Sequence, residues 1–368
     1  MTAFTPEVVT DPGAIRALAP AWRDLVRDVG APPFCSPDWL LPWQRHYAAR
    51  AEAFLLTWRD EAGLAGVMPL VRRRRRLPPV TELAPWGNHG TSLRGLVDLV
   101  ARPDRAAGIA ESLVGWLGGP EARWDILSLL RLPPGSETSG RLAEMAAARG
   151  YGVASNTGVV RSDTYVLDLP RGEAGGMPVL GPKARHNLRT EAHRFERFGG
   201  RYERPEVASA AADVVRAVRE LSEARWGPAE RTFRTDPQAE PFLAEALGAM
   251  AGVGSLLLDV ARDATGIRAA LATLVVGRRA VALLIGVSAD EDLRRVSLGK
   301  QLFVSSIDAC IERGVETYDF LWVGGYKEAF WGATPRRLES LVVGRGPIGG
   351  LVVRRVRSRA ARAREGAA

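Results

Sequence analysis

Val281-Ala282-Leu283-Leu284-Ile285-Gly286-Val287-Ser288 reads as a strand. It runs through the polar stretch Ala289–Arg295 into Val296-Ser297-Leu298-Gly299-Lys300-Gln301-Leu302, which opens a helix reaching about Arg313. A strand that feeds a helix N-terminus through a loop with two arginines, a serine and a glycine makes an anion site from elementary parts. The first N–H groups of a helix lack internal acceptors, the helix dipole adds positive potential there, and a glycine lets an anion approach the backbone. Arg294, Arg295 and Lys300 add formal charge. A Ser-Gly helix start is also common where nothing binds, so the surrounding sequence has to decide.

Three apolar strands precede or include this stretch: Val253–Arg262, Ile267–Val276 and Arg279–Val287. Their short links, Asp263-Ala264-Thr265-Gly266 and Gly277-Arg278, predict an antiparallel meander. After the helix comes a strand over Glu316–Val323, then Gly324-Gly325-Tyr326-Lys327-Glu328-Ala329-Phe330-Trp331-Gly332. Upstream, a strand over Asp163–Leu169 stops at Pro170, and a Gly/Pro-rich segment leads into a helix over Lys183–Phe198. Ala184, Leu188, Ala192 and Phe195 share one face of that helix, and its arginines lie largely off it. Helices over Val207–Arg225 and Gln238–Ala251 follow.

The first half alternates in the same way. Its expected helices are Pro12–Val29, one capped by Ser36 with Pro37 at its first position and running to Ala49, Arg105–Leu117 and Thr138–Arg149. Expected strands are the hairpin Phe54–Arg59 and Leu64–Arg73, then Thr81–Trp86, Leu93–Val100 and Trp124–Leu130. The five arginines Arg72–Arg76 read as a solvated hairpin end. The fold class is therefore mixed α/β (α+β), with two domains, residues 1–160 and 161–368, each a mostly antiparallel sheet flanked by helices.

Composition agrees with this. A chain of 368 residues, 46% hydrophobic and 25% charged, has the balance of a soluble globular protein of two cores. The formal charge of +8 comes mostly from arginine, which suits an anionic substrate, nucleic acid or an acidic surface, and equally the arginine bias of a GC-rich genome. Two distant cysteines, Cys35 and Cys310, give neither a disulfide framework nor a zinc site. No apolar run nears the ~18 residues of a spanning helix and no basic-then-apolar leader opens the chain, so a cytoplasmic location is expected.

The order of meander, anion loop, helix, strand and short aromatic helix resembles the GNAT acyltransferase fold. Four stretches make the resemblance narrower: Phe34-Cys35-Ser36-Pro37-Asp38-Trp39-Leu40; Leu64-Ala65-Gly66-Val67-Met68-Pro69-Leu70; Lys183-Ala184-Arg185-His186-Asn187-Leu188-Arg189; and Ser297-Leu298-Gly299 through Tyr318-Asp319-Phe320 to Tyr326-Lys327. They resemble the FemAB-like tandem GNAT family, in its BioF2-like or CelD-like acetyltransferase branch. Ser297-Leu298-Gly299 departs from the Ser-Pro-Gly frequent in that family.

The resemblance implies that the C-terminal domain binds an acyl donor, acetyl-CoA or another acyl-CoA, and that the N-terminal copy lacks that site. Ser297, Leu298, Gly299, Lys300 and Gln301, with Arg294 and Arg295, are then expected at the donor's phosphates. The strand backbone at Gly286 and Val287 is expected along its pantetheine arm. Tyr326 is the candidate acid for the leaving thiolate. Asp319 is a candidate base, or else a carboxylate paired with an arginine. Arg185, Asn187, Arg189, Lys327 and Trp331 are candidates for the acceptor. The arginines of Lys183–Phe198 read equally well as a solvated face, and the basic tail Leu351–Ala368 as packed at its start and solvated at its end.

The leading expectation is an N-acyltransferase acting on a small amine or amino sugar, with no metal. An aminoacyl-tRNA-dependent transferase, with tRNA as partner, and a non-catalytic scaffold are the alternatives.

Overall fold

The computed structural model describes residues 4–49, 51–77, 79–88, 95–133, 136–155, 163–171, 179–230, 232–321 and 326–365. In chain order the strands are β1 (Glu7–Val9), β2 (Glu52–Asp60), β3 (Gly63–Arg75), β4 (Val80–Pro85), β5 (Val100–Ala101), β6 (Ile126–Leu132), β7 (Gly152–Ser155), β8 (Asp163–Asp168), β9 (Arg201–Glu203), β10 (Leu256–Asp263), β11 (Gly266–Val276), β12 (Arg279–Val287), β13 (Thr317–Asp319), β14 (Thr334–Arg337) and β15 (Glu339–Gly344). The helices are α1 (Pro12–Ala17), α2 (Ala19–Asp28), α3 (Pro37–Tyr47), α4 (Ala106–Gly118), α5 (Glu137–Ala148), α6 (Pro182–Arg197), α7 (Val207–Trp226), α8 (Thr232–Thr235), α9 (Ala239–Gly252), α10 (Leu298–Glu312), α11 (Tyr326–Trp331) and α12 (Gly346–Glu365).

The chain divides into two compact units. The first comprises Met1–Asp163 together with Arg337–Ala368, and the second Thr164–Arg336. The segment from Arg337 onward, expected to close the second domain, thus belongs to the first. The reason is strand pairing. β15 lies between β6 and β7 and pairs antiparallel with both, placing Leu341 opposite Leu129 and Ser155. Leu341 and Val343 enter the first unit's core beside Leu127 and Leu129, so the apolar face of β15 is satisfied there. Gly344 permits the return of the chain: a Cβ at this position would lie 2.2 Å from the carbonyl oxygen of Gly349. α12 follows, with Val353 and Ala360 buried.

The first unit's sheet runs β1-β2-β3-β4-β6-β15-β7, with β5 on β3. The expected helix over Pro12–Val29 is split at Leu18, because Pro20 in the first turn of α2 supplies no N–H to continue α1. Ser36 caps α3 as expected, its hydroxyl accepting from the Asp38 N–H at 3.2 Å. The strand expected over Leu93–Val100 is reduced to β5; residues 95–99 form none, and 91–94 lie outside the described residues.

The second unit's sheet runs β14-β8-β13-β12-β11-β10-β9. β10, β11 and β12 form the expected antiparallel meander, and α10 crosses over so that β13 pairs parallel with β12. Alternation along β12 sets its two faces. A Cβ on Gly286 would meet Val218 of α7, while Ile285 and Val287 face Gly299 of α10. Inside, Thr273 of β11, Ser306 of α10 and Tyr318 of β13 share hydroxyl hydrogen bonds of 2.8–3.2 Å, which satisfies three buried polar groups and fixes α10 over the sheet. The strand expected over Glu316–Val323 is described only as β13; Leu321 turns off it at φ 56°, and residues 322–325 lie outside the described residues.

Candidate functional site

The register of β12 with β13 ends at Val281 opposite Asp319, whereas β12 continues to Val287 paired with β11. Among the described residues no strand takes the other edge of β12 beyond Val281. A V-shaped opening results, and its exposed edge offers strand N–H and C=O groups to an extended ligand.

The turn after β12 is held from several sides. The Ser288 N–H donates to the Arg268 carbonyl at 2.8 Å, the Asp290 N–H to the Ser288 hydroxyl at 3.2 Å, and the Asp292 N–H to the Asp290 carboxylate at 3.0 Å; Arg268 pairs with Asp290. A short 3-10 turn over Asp292–Val296 follows. Val296 and Leu298 are both anchored in the core, and Ser297 between them is left-handed, φ 43° and ψ 43°. For a residue with a Cβ this conformation costs roughly 1–3 kcal/mol, and such strain concentrates at sites of function. The Ser297 carbonyl accepts from the N–H groups of Lys300 at 2.8 Å and Gln301 at 3.2 Å. The N–H groups of Leu298 and Gly299, in the first turn, precede any internal acceptor and face the helix mouth.

These parts border one cleft of about 410 Å³. β12 and its turn contribute Ile285, Gly286, Val287, Ser288, Leu293 and Arg294; α10 contributes Ser297, Leu298, Gly299, Lys300 and Phe303; α7 contributes Ser222, Arg225 and Trp226; α11 contributes Lys327. Gly299 keeps the mouth narrow but open, since a Cβ there would meet the Val287 side chain at 3.2 Å.

Lys327 is the unusual group. It is only 4% exposed, and its Nζ lies 3.5 Å from the centroid of the Phe303 ring and 4.5 Å from that of Phe320. Desolvation pulls its amine down to about 7, so near neutral pH it holds its proton weakly. The two rings offer cation–π stabilisation in part compensation.

Of the residues expected at the donor, Gly286, Val287, Arg294, Ser297, Leu298, Gly299 and Lys300 come together in the cleft. Arg295 and Gln301 do not line it. Arg295 is exposed, and its carbonyl accepts from Arg194 at 3.4 Å. Gln301 is buried, and its side-chain amide donates to the Leu188 carbonyl at 2.5 Å, tying α10 to α6. Lys327 lines the cleft, but Arg185, Asn187 and Arg189 of α6 do not, Asn187 and Arg189 being exposed. Trp331 is in the core, edge-on to Phe303 and tilted against Phe320, where it supports the rings around Lys327.

Asp319 lies at the closed end of the V, outside the cleft lining. Its carboxylate accepts from the Thr164 hydroxyl and from the Leu321 N–H at 2.7 Å, and burial raises it to about 6 despite those bonds. Tyr326 opens α11; its side chain lies outside the described residues. The α7 wall and Phe303 are what the sequence reading missed. Trp226 is 59% exposed at the last position of α7, and a tryptophan at the end of an amphipathic helix was the signal available.

Residues 182–331 match the family profile described as an acetyltransferase (GNAT) domain. None of the curated proteins matches the sequence. Among solved structures, FemX is similar at a TM-score of 0.61 and 10% identity, covering 88% of this chain and 95% of its own. The C-terminal domain of a putative lysylphosphatidylglycerol synthetase from Agrobacterium fabrum is similar at 0.51 and 14%, covering 92% and 95%. L-PGS from Bacillus licheniformis is similar at 0.50 and 13%, covering 95% and 97%. At these identities the structures speak for the fold, and the matched domain speaks for the chemistry. The chain is an acyltransferase by its GNAT acetyltransferase domain in residues 182–331, and over most of its length it shares the fold of FemX.

Proposed function

We propose that the cleft takes an acyl-CoA, acetyl-CoA in the first instance, and passes the acyl group to an amine of a small molecule or amino sugar. The observation that carries this is the meeting, in one cleft, of the open edge of β12 and the first turn of α10 behind left-handed Ser297. When bound, the donor supplies a thioester carbonyl open to attack by an amine.

The residues present suit such a donor. The Leu298 and Gly299 N–H groups with Arg294 and Lys300 hold the diphosphate. The edge of β12 pairs with the amide-bearing arm, and backbone N–H groups near Gly286 and Val287 polarise the carbonyl oxygen. The acceptor nitrogen forms the new amide bond as the C–S bond breaks, and one proton passes from nitrogen to the departing sulfur. Lys327, which lines the cleft with its amine lowered to about 7, takes that proton near neutral pH, and Tyr326, its neighbour in sequence, is the proposed acid for sulfur. Asp319, occupied by Thr164 and Leu321, serves to hold the base of the V.

Calorimetric titration of CoA into the wild type and into Arg294→Glu tests the reading. Arg294 is exposed, and its ion pair is with the equally exposed Glu291, so the variant should fold. CoA binding weakened about tenfold in the variant is expected, the size of one charge-assisted hydrogen bond. A titration of aminoacyl-tRNA runs in parallel. Absence of CoA binding together with steeply salt-dependent tRNA binding overturns the proposal in favour of the tRNA-dependent alternative.

A further inference from the structure

The charges around the cleft restrict the acceptor as well as the donor. Its lining holds four basic side chains, Arg225, Arg294, Lys300 and Lys327, and no carboxylate among the described residues. Such a wall has two opposite effects on an amine. It disfavours the ammonium form and so favours the neutral nucleophile that acyl transfer requires. It also repels any acceptor whose only charge is that ammonium. Both demands are met by an amine that carries a separate anionic group.

The positions of the four basic side chains leave one of them for that group. Arg294 and Lys300 flank the first turn of α10, where the donor's diphosphate is placed by the reading above. Lys327 is backed by Phe303 and Phe320 and, on the same reading, is engaged with the acceptor's proton. Arg225 stands apart on α7, two helical turns past Val218, the residue that packs against Gly286. Its guanidinium lies 5.6 Å from the ring centroid of Trp226, which is itself 59% exposed. A planar cation backed by an accessible ring offers a bidentate hold on an oxyanion and an apolar surface beside it.

We propose that the acceptor is an amine bearing a carboxylate or phosphate, and that Arg225, backed by Trp226 on the α7 wall of the cleft, holds that anionic group. The proposal rests on the acyl-CoA reading of the same cleft. It excludes polyamines and uncharged amino sugars as preferred acceptors.

The test is a competition. The full chain with acetyl-CoA is given an equimolar pool of matched amines: amino acids and their amides, glucosamine 6-phosphate and glucosamine, and spermidine. Acetylated products are read by mass spectrometry, and CoA affinity is measured separately by calorimetry. The expected result is that the anionic member of a pair is favoured at least about tenfold, the size of one charge-assisted contact. Arg225→Gln should erase that preference while leaving CoA affinity within about twofold. Arg216→Gln, exposed on the same helix and outside the cleft, should change neither.

Arms of the pool separate carboxylate from phosphate. Preference for spermidine or glucosamine, an unaltered preference in Arg225→Gln, or no anionic amine among the products overturns the proposal, even if CoA binds. A clear loss of CoA affinity in Arg225→Gln also overturns it, by assigning Arg225 to the donor. Failure of CoA to bind the wild type strikes the donor reading instead, and with it the premise of this one.

Discussion

Replacing Lys327 with methionine should make the protein more stable and leave it inactive. The side chain is 4% exposed, and desolvation lowers its amine from 10.5 to about 7. In the unfolded chain the same amine keeps its ordinary affinity for protons. Between pH 7 and 10.5 the unfolded state therefore binds more protons, and stability rises with pH across that window. Below pH 7 both states are protonated and the full penalty stands. A shift from 10.5 to about 7 corresponds to about 5 kcal/mol at pH 6, falling to about 2 kcal/mol at pH 9. The cation–π contacts with Phe303 and Phe320 offset part of this, so Lys327→Met should stabilise the protein at pH 6 by less than that full penalty. Methionine has nearly the same length, lies well against aromatic rings and carries no charge. Urea unfolding at pH 6 and pH 9, with turnover of acetyl-CoA measured at pH 7, checks both halves. A variant no more stable than wild type at pH 6, or one whose advantage is the same at both pH values, would refute the burial argument. Retained turnover would refute the role given to the amine.

Two further substitutions separate structure from chemistry at the edge of the cleft. Gly286→Ala would set a Cβ 2.9 Å from the Val218 Cα and 3.3 Å from the Leu221 Cβ, so α7 must move; a stability loss of about 1–3 kcal/mol is expected from overpacking, together with weaker acceptor use, and unchanged melting would sink this account. Asp319→Asn should keep the acceptance from Thr164 and Leu321 while removing a buried carboxyl whose protonation near 6 is its only unusual property, so turnover above pH 7 should stay close to wild type; its loss would make Asp319 the base after all.

The β12–α10 side of the cleft was legible in the sequence because its parts are consecutive. Strand, turn and helix start from Val281 to Gln301 carry their own periodicity, cap and charges, and the structure keeps them in that arrangement. The other wall depends on contacts far apart in the chain. Trp226 and Arg225 reach the cleft only because Gly286 admits α7 close to β12, which no spacing around residue 226 encodes. β15 joins the first unit for the same kind of reason: Leu341 and Val343 look like any short strand until Leu129 and Leu127 are known to need neighbours. Lys327 read as an acceptor-binding residue and not as a buried amine because Phe303 and Phe320, which bury it, come from α10 and the residue after β13.

Ser297 shows a limit of another kind. A left-handed backbone is ordinarily the signature of glycine, and the glycine of this motif is two residues later at Gly299, where φ is not in the left-handed region. The flanking residues hold it in place: Val296 and Leu298 are both buried, so the turn at Ser297 between them is anchored on each side. Seen this way, the absent proline at 298 is less a departure than a substitution of means. Proline would fix the first turn of α10 through its ring, and here the buried Leu298 fixes it through packing while retaining an N–H that proline lacks. The helix mouth of this chain therefore presents one more backbone donor than a Ser-Pro-Gly start provides.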